Sequence, residues 1–131
     1  MAPMVKKICL DSSVLISLLT GREETKKAFE MMEASFYTTS ISSFELWVGR
    51  KQDEPVSKLL DTISILDLDD PSARKAADIH RELQKKGSTL ELKDLFIGSI
   101  CISNGMELWT YNLKDFERLE VFGLRLIPQG P

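Results

Sequence analysis

Four carboxylates stand at the starts of expected helices, far apart in the sequence: Asp11, Glu45, Asp94 and Asp115. Asp11 follows three apolar residues and Asp94 precedes three, and an acid in such a run is costly unless it is paired or binds a metal. A cluster of carboxylates needs a counter-charge to stay ionised. Oxygen ligands without imidazole or thiolate favour Mg²⁺ or Mn²⁺, which can activate water and stabilise a leaving oxyanion.

Each acid also has a simpler interpretation. Asp11 suits a helix cap, Ser42 and Glu45 fit a capping box, and Asp115 suits the first turn of a helix. Asp94 alone is typical of a solvated acid. Taken together, the four favour one shared metal site, and we expect some of these carboxyls to have a pKa well above about 4 when no metal is bound.

The elements expected to position the acids alternate between strand and helix. The pattern predicts strands over residues 7–10, 36–39, 63–66, 107–110 and 124–127. It predicts helices over residues 13–19, 23–34, 42–50, 56–62, 71–86 (with Asp70 as cap), 92–103 and 113–119. Strands separated by helices imply an α/β fold with a parallel sheet covered on both faces. Ligands bind such sheets at the carboxyl ends of the strands, where the four acids fall.

Composition limits the classes of protein that remain. With 131 residues, of which 43% are apolar, the chain suits one domain over residues 1–131. A net charge of -3 argues against binding nucleic acid through the whole surface. The two cysteines lack a CxxC motif and residues 1–7 show no signal peptide, which predicts a cytoplasmic protein. Because the chain has no long apolar run, we expect that it does not span a membrane.

Five segments, in order, resemble the motifs of PIN-domain nucleases. They are residues 10–16 (LDSSVLI), 42–49 (SSFELWVG), 93–99 (KDLFIGS), 110–116 (TYNLKDF) and the closing 122–128 (FGLRLIP). The resemblance covers nearly the whole chain, and the length is similar to that of the VapC-like branch, the toxins of toxin–antitoxin pairs. Two departures stand out: Ser13 often appears as Asn in the family, and Gly98-Ser99 replaces the more usual Ala pair, which we expect to loosen helix packing slightly.

The resemblance implies a three-layer PIN-like fold with a five-stranded sheet of order 3-2-1-4-5, a homodimer, and an Mg²⁺-dependent (or Mn²⁺-dependent) endoribonuclease restrained by a cognate antitoxin. Its implied catalytic and metal-binding residues are Asp11, Glu45, Asp94 and Asp115. Ser13, Thr110 and Asn112 are the implied polar groups that orient these carboxylates. Cations near helix starts and loops are expected to contact RNA phosphates: Arg22, Arg50, Lys93 and Lys114.

Three other functions stay open at this point. A solitary RNA-processing PIN nuclease would use the same site without an antitoxin. A binding module would use the acids as helix caps only. An aspartyl-phosphate phosphatase would use Asp11 as nucleophile, although Ser13 stands where the general acid is expected.

For the toxin, we expect an antitoxin arginine to stand where the metal would sit, because its planar fork can bridge two carboxylates. The rest of the antitoxin segment would lie in an apolar groove beside the early helices. Expected wall residues are the exposed members of residues 14–19 together with Phe29, Met32, Phe44 and Trp47.

Overall fold

A computed structural model describes residues 5–128, in which strands and helices alternate as the sequence predicts. The strands are β1 (Lys6–Leu10), β2 (Ala34–Thr39), β3 (Ser64–Leu66), β4 (Glu107–Trp109) and β5 (Arg125–Leu126). The helices are α1 (Ser12–Leu19), α2 (Glu23–Met31), α3 (Ser40–Gly49), α4 (Asp53–Asp61), α5 (Asp70–Lys85), α6 (Leu92–Ser103) and α7 (Leu113–Phe116), followed by a 3₁₀ helix (Glu117–Phe122). The expectation of no signal peptide rests partly on residues 1–4, which lie outside the described residues.

All neighbouring strands of the sheet pair in parallel, in the order β3-β2-β1-β4-β5. This order confirms the predicted 3-2-1-4-5 sheet. In the central strand, Ile8 is in register with Phe36 of β2 on one side and with Glu107 of β4 on the other. Because the strands are parallel, their carboxyl ends meet at one edge, and the residue that follows β1 lies at the middle of that edge.

Side chains of β1 alternate between two hydrophobic cores, one on each face of the sheet. Ile8 and Leu10 belong to the core that also includes residues of α1, α3 and α4. Cys9 belongs to the opposite core, together with residues of α5 and α6. The three-layer arrangement that the sequence predicts is therefore confirmed. No helix within residues 5–128 is long and apolar enough to cross a membrane.

Two predicted helix caps are wrong by one or more residues. Thr39 caps α3 by accepting a hydrogen bond from the backbone N–H of Ser42 at 3.1 Å, so Ser42 does not form a capping box with Glu45. Asp69, not Asp70, caps α5 by accepting from the N–H of Ser72 at 3.0 Å. Both helix starts contain more than one residue of a type that caps helices, and the backbone geometry decides which of them does so.

The expected looser packing at Gly98 is also wrong. A Cβ at this position would lie 2.4 Å from Cδ1 of Leu119. The glycine therefore lets α6 approach the 3₁₀ helix closely, and the Leu119 side chain fills the space. Ser99 satisfies its buried hydroxyl by donating to the carbonyl of Leu95 at 2.7 Å. This close contact fixes α6, which carries Asp94, against the segment that follows Asp115.

Other predicted bounds differ at the element ends. Helix α2 ends at Met31 because the chain extends into β2 from Ala34, and the predicted helix over residues 113–119 divides into α7 and the 3₁₀ helix. The last strand has two residues instead of four. Such ends depend on tertiary contacts that local residue patterns do not carry.

Candidate active site

Asp11 lies at the centre of the carboxyl edge and is 2% exposed. The Thr110 hydroxyl donates to its Oδ2 at 2.7 Å, and the Ser13 hydroxyl donates to the same oxygen at 3.0 Å. Asp11 occupies the N-cap position of α1, but its side chain makes no cap hydrogen bond. The cap interpretation of Asp11 is therefore wrong, and its carboxylate is held by polar groups from two separate segments of the chain.

The loop after β4 wraps around this carboxylate. The backbone N–H of Asn112 donates to Oγ1 of Thr110 at 3.0 Å, and that of Tyr111 donates to Oγ of Ser13 at 3.0 Å. Each hydroxyl thus accepts a backbone bond while it donates to Asp11. The orienting role predicted for Ser13 and Thr110 has the contacts that it requires, whereas Asn112 contributes through its backbone. These roles stay predictions.

Asp94, in the first turn of α6, has its pKa raised to about 6. Partial burial is the largest cause, because it disfavours the charged form, and the charges of Asp115 and Asp11 add to it. The neighbouring ammonium of Lys93 acts in the opposite direction. The expected raised pKa is confirmed for this carboxyl, and the sheet brings three of the four predicted acids within electrostatic reach of one another.

Glu45, the fourth acid, is paired with a cation. Oε2 of Glu45 lies 3.2 Å from Nζ of Lys93, and Oε2 of Glu91 lies 3.7 Å from the same atom. The hydrogen bond that Lys93 donates to the Glu45 carboxylate is the main reason why the pKa of Lys93 is raised. Lys93 was predicted to contact RNA; as placed here, it joins α3 to the start of α6 beside Asp94.

The carboxylate oxygens of the four acids are the type of ligand that a hard divalent cation prefers. The side chains, however, do not surround a common position where an ion could sit. Within residues 5–128, no group of three or more His, Cys, Asp or Glu side chains is placed to hold a metal ion. Partial burial and the neighbouring charges of Asp115 and Asp11 raise the pKa of Asp94, and a bound dication would favour its charged form. Asp11, Asp94 and Asp115 are the residues suited to hold it, and Glu45 would join them after leaving Lys93.

The four predicted RNA-contacting cations divide into two pairs. Arg22 and Lys114 are exposed and form no ion pair with any part of the chain from residue 5 to residue 128. Arg50 donates to the carboxylate of Asp53 and to the carbonyl of Trp47, and its guanidinium lies 5.3 Å from the Trp47 ring centroid. Lys93 is paired with Glu45. RNA contact stays a prediction for all four, and the internal partners of Arg50 and Lys93 make it less favourable for these two than for Arg22 and Lys114.

A groove of about 460 Å³ runs beside Glu45, between α1, α3 and α4. Its apolar lining includes Ile16, Leu19, Leu46, Pro55 and Val56. Phe29 and Met32, which were expected in its wall, instead pack against a core cluster. Phe44 and Trp47 are absent from the lining.

The loop between α3 and α4 contributes Lys51 and Gln52 to the groove, and the sequence analysis missed both. A polar loop between two amphipathic helices gave no signal of this. Tyr111 was also missed as a residue of the site, although it stands inside the 110–116 motif between two polar residues that were singled out.

Comparisons with known proteins agree with the geometry. A family model described as the PIN domain matches residues 8–121. "Ribonuclease VapC1" of Methanocaldococcus jannaschii is 31% identical over 123 residues, which cover 92% of this chain and 86% of that protein. The "tRNA(fMet)-specific endonuclease VapC" of Salmonella typhimurium is 26% identical and covers 92% and 96% of the two chains. The crystal structure of DNA-bound VapBC from Salmonella typhimurium is similar, with a TM-score of 0.80, 26% identity and coverage of 95% and 98%.

Proposed function

This chain belongs to the PIN-domain family, and we propose that it is a metal-dependent endoribonuclease acting as the toxin of a VapBC-type pair. The observation that carries the proposal is that Asp11, Asp94 and Asp115 lie at the carboxyl edge of the sheet, where the charges of Asp115 and Asp11 act on the partly buried Asp94 carboxyl. Acids from three separate segments meet at one edge of the sheet. The VapC ribonucleases among the curated relatives, and the similarity to a VapBC structure, support the same conclusion.

RNA hydrolysis forms a bond from a water oxygen to phosphorus and breaks the P–O3′ bond, which leaves a 5′-phosphate and a 3′-hydroxyl. Mg²⁺ or Mn²⁺, when bound, supplies water activation and stabilises charge on the phosphate and the leaving oxygen. Asp11 and Asp94 would hold the ion, with Asp115 and Glu45 completing the set. Thr110 fixes the direction of the Asp11 carboxylate. The uncommitted charges of Arg22 and Lys114 bind backbone phosphates of the RNA.

The antitoxin binds in the groove beside Glu45. An apolar helix or extended segment packs against Ile16, Leu19 and Val56, and an arginine of that segment reaches the carboxylates. The solved structures similar to this chain include a toxin–antitoxin complex, which supports a protein partner of this kind. An antitoxin that binds in this way competes with Mn²⁺ for the same carboxylates, so adding metal weakens the complex.

Three broader expectations belong to the same proposal. Residues 1–131 form one domain, the protein is a homodimer, and it acts in the cytoplasm. Light scattering on the purified protein checks the dimer: a mass twice 14.8 kDa is expected, and the mass of one chain contradicts it.

The direct test is incubation of the purified protein with total cellular RNA. We expect discrete fragments with 5′-phosphate ends that require Mg²⁺ or Mn²⁺ and disappear with EDTA. Asp94→Asn, checked for folding by circular dichroism, is expected to be inactive under the same conditions. Hydrolysis of small phosphomonoesters without RNA cleavage would instead support a phosphatase that uses Asp11.

A further inference from the structure

Tyr111 joins the active-site loop to the start of α2 through both of its ends. Its backbone N–H donates to Ser13, and its phenolic oxygen lies 2.6 Å from Oγ1 of Thr25, which is 2% exposed. The residue before it, Thr110, donates to Asp11. Tyr111 is therefore fixed one residue away from the side chain that orients the central carboxylate.

The side chain of Tyr111 is exposed despite this anchoring. The residue is 39% exposed, whereas most aromatic side chains in the described chain are packed in or against the two cores. An anchored ring loses little conformational entropy when it binds a flat partner, because its rotamer is already set. Proteins that bind single-stranded RNA use such rings to stack unpaired bases.

The charges around Tyr111 suit the backbone of the same ligand. Arg22 lies three residues before Thr25 and Lys114 lies three residues after Tyr111, and both are exposed. Neither forms an ion pair with residues 5–128. An aromatic ring with uncommitted cations on its own segment and on the segment that anchors it is a combination suited to single-stranded nucleic acid, with bases on the ring and phosphates on the cations.

We propose that the Tyr111 ring is a stacking platform for one unpaired nucleobase of RNA, adjacent to the phosphate that is cleaved. The proposal rests on the proposed ribonuclease function and adds a subsite to it. The platform accepts any base, because every base has a π-face. The alternative is that Tyr111 only docks α2 against the active-site loop through Thr25.

Three variants separate the ring from its anchor. Tyr111→Leu removes the π-face, Tyr111→Phe keeps the ring and removes the hydroxyl, and Thr25→Val removes the anchoring partner. Binding of a labelled single-stranded RNA is measured by anisotropy in EDTA, where no cleavage interferes. We expect Tyr111→Leu to weaken binding by roughly 5- to 150-fold, the range for losing one stacked base, and the other two variants to weaken it by less than about 5-fold.

An abasic scan then tests stacking itself. RNAs with one abasic nucleotide at successive positions are compared on wild type and on Tyr111→Leu. One position is expected to weaken wild-type binding and to have no further effect on the variant, because both changes remove the same contact. Equal losses for Tyr111→Leu, Tyr111→Phe and Thr25→Val, or additive losses at every position, would overturn the platform and support the docking role.

Failure of the ribonuclease proposal would give a different set of results from failure of the stacking platform. RNA that binds with the stacking pattern but is not cut with Mn²⁺ would overturn the nuclease and leave the platform standing. RNA that is cut, with no effect of Tyr111→Leu on affinity, would overturn the platform alone. Wild-type protein that neither binds nor cuts RNA would overturn both. Mn²⁺ affinity by calorimetry is expected to be unchanged in Tyr111→Leu, and its loss would indicate damage to the Asp11 network instead.

Discussion

Two surfaces border the carboxylates, here called the groove flank and the β4 flank, and they differ in whether their cations form ion pairs within the protein. On the groove flank, defined by the apolar groove with Arg50, Lys51 and Lys93, two of the three cations, Arg50 and Lys93, are paired within the protein, whereas Lys51 forms no ion pair with the described residues. On the β4 flank, defined by Arg22, Tyr111 and Lys114, the cations form no ion pair with the described residues. The two flanks therefore present different chemistry to a ligand.

This difference assigns a ligand class to each flank. Apolar walls with mostly paired charges suit a protein segment, since few cations are left without a partner when it binds. Free charges and an anchored aromatic ring suit RNA, since phosphates gain the most from cations that have no other partner. Glu45 lies on the groove flank. Asp11 lies between the flanks, because its carboxylate accepts hydrogen bonds both from α1 and from the loop of the β4 flank.

The largest expected effect comes from the carboxylates that both flanks share. Asp11→Asn and Asp94→Asn are each expected to lower the cleavage rate by more than about 100-fold, beyond what loss of an orienting group costs. Thr110→Val, which removes the donor to Asp11, is expected to cost roughly 10- to 100-fold. Asp115→Asn is expected to be the mildest of the acidic variants, because Asp115 is exposed on a short helix. Cleavage rates at saturating metal measure all four.

The same variants in combination test whether the acids form one site. The double variant Asp11→Asn with Asp94→Asn is expected to lose little more activity than either single change, because residues of one site act together. Multiplying losses would indicate independent roles and would contradict a shared metal.

The groove flank is tested by a charge placed in its apolar wall. Ile16→Asp is expected to weaken antitoxin binding by roughly 10- to 100-fold, which is typical of a central contact residue, and to leave RNA cleavage intact. Ile16 is 48% exposed, so the protein is expected to fold normally. Calorimetry with the antitoxin and a cleavage assay are run in parallel. Loss of cleavage with unchanged antitoxin affinity would reverse the assignment of the two flanks.

A smaller effect is expected in the salt dependence of RNA binding, which compares the cations of the two flanks directly. Each phosphate contact to single-stranded RNA contributes about 0.7 to the slope of log affinity against log salt. Arg22→Gln and Lys114→Gln are each expected to reduce the slope by about this amount. Arg50→Gln is the matched control from the groove flank, and we expect it to leave the slope unchanged because Arg50 is bonded to Asp53 and Trp47.

Much of this arrangement could be predicted from the sequence, because parallel sheets fix where strand ends fall. The meeting of Asp11, Asp94 and Asp115 follows from alternating strands and helices with acids at the helix starts, whereas the strand order was implied by the resemblance to PIN-domain nucleases. Glu45 was placed at the same edge, but its pairing with Lys93 depends on how α3 and α6 are packed.

Details decided by tertiary contacts could not be predicted. Residue types alone did not distinguish Asp69 from Asp70 as a cap, or Thr39 from Ser42 as the residue that caps α3. The anchoring of Tyr111 depends on Thr25, 86 positions away in the sequence, so no local pattern reveals it. The division between paired and unpaired cations has the same origin.

The smallest expected effect concerns stability and pH. In the metal-free protein the pKa of Asp94 is about 6, above its unfolded value near 3.8, so the folded state binds more protons between these values. The contribution of Asp94 to stability is therefore fully present below about pH 4 and is lost as pH rises through 6. Asp94→Asn removes this loss, and at about pH 8 in EDTA its Tm is expected to exceed that of wild type by a few degrees.

A measurement at low pH is the control for the expected difference in Tm between Asp94→Asn and wild type. At about pH 3.5 the Asp94 carboxyl is mostly protonated in both the folded and unfolded states, so the two proteins are expected to melt nearly alike. Mg²⁺ is expected to raise the Tm of wild type and not that of the variant. A variant that melts below wild type at about pH 8 in EDTA would show that the neighbouring charges of Asp115 and Asp11 do not destabilise Asp94.

Calorimetric titration with Mn²⁺ tests the shared metal site most directly. Wild-type protein is expected to bind Mn²⁺ saturably, Asp11→Asn and Asp94→Asn to lose that binding, and Lys93→Gln to bind more tightly because Glu45 is released from its ion pair. Wild-type protein without saturable binding, or Asp94→Asn with unchanged affinity, would contradict the account.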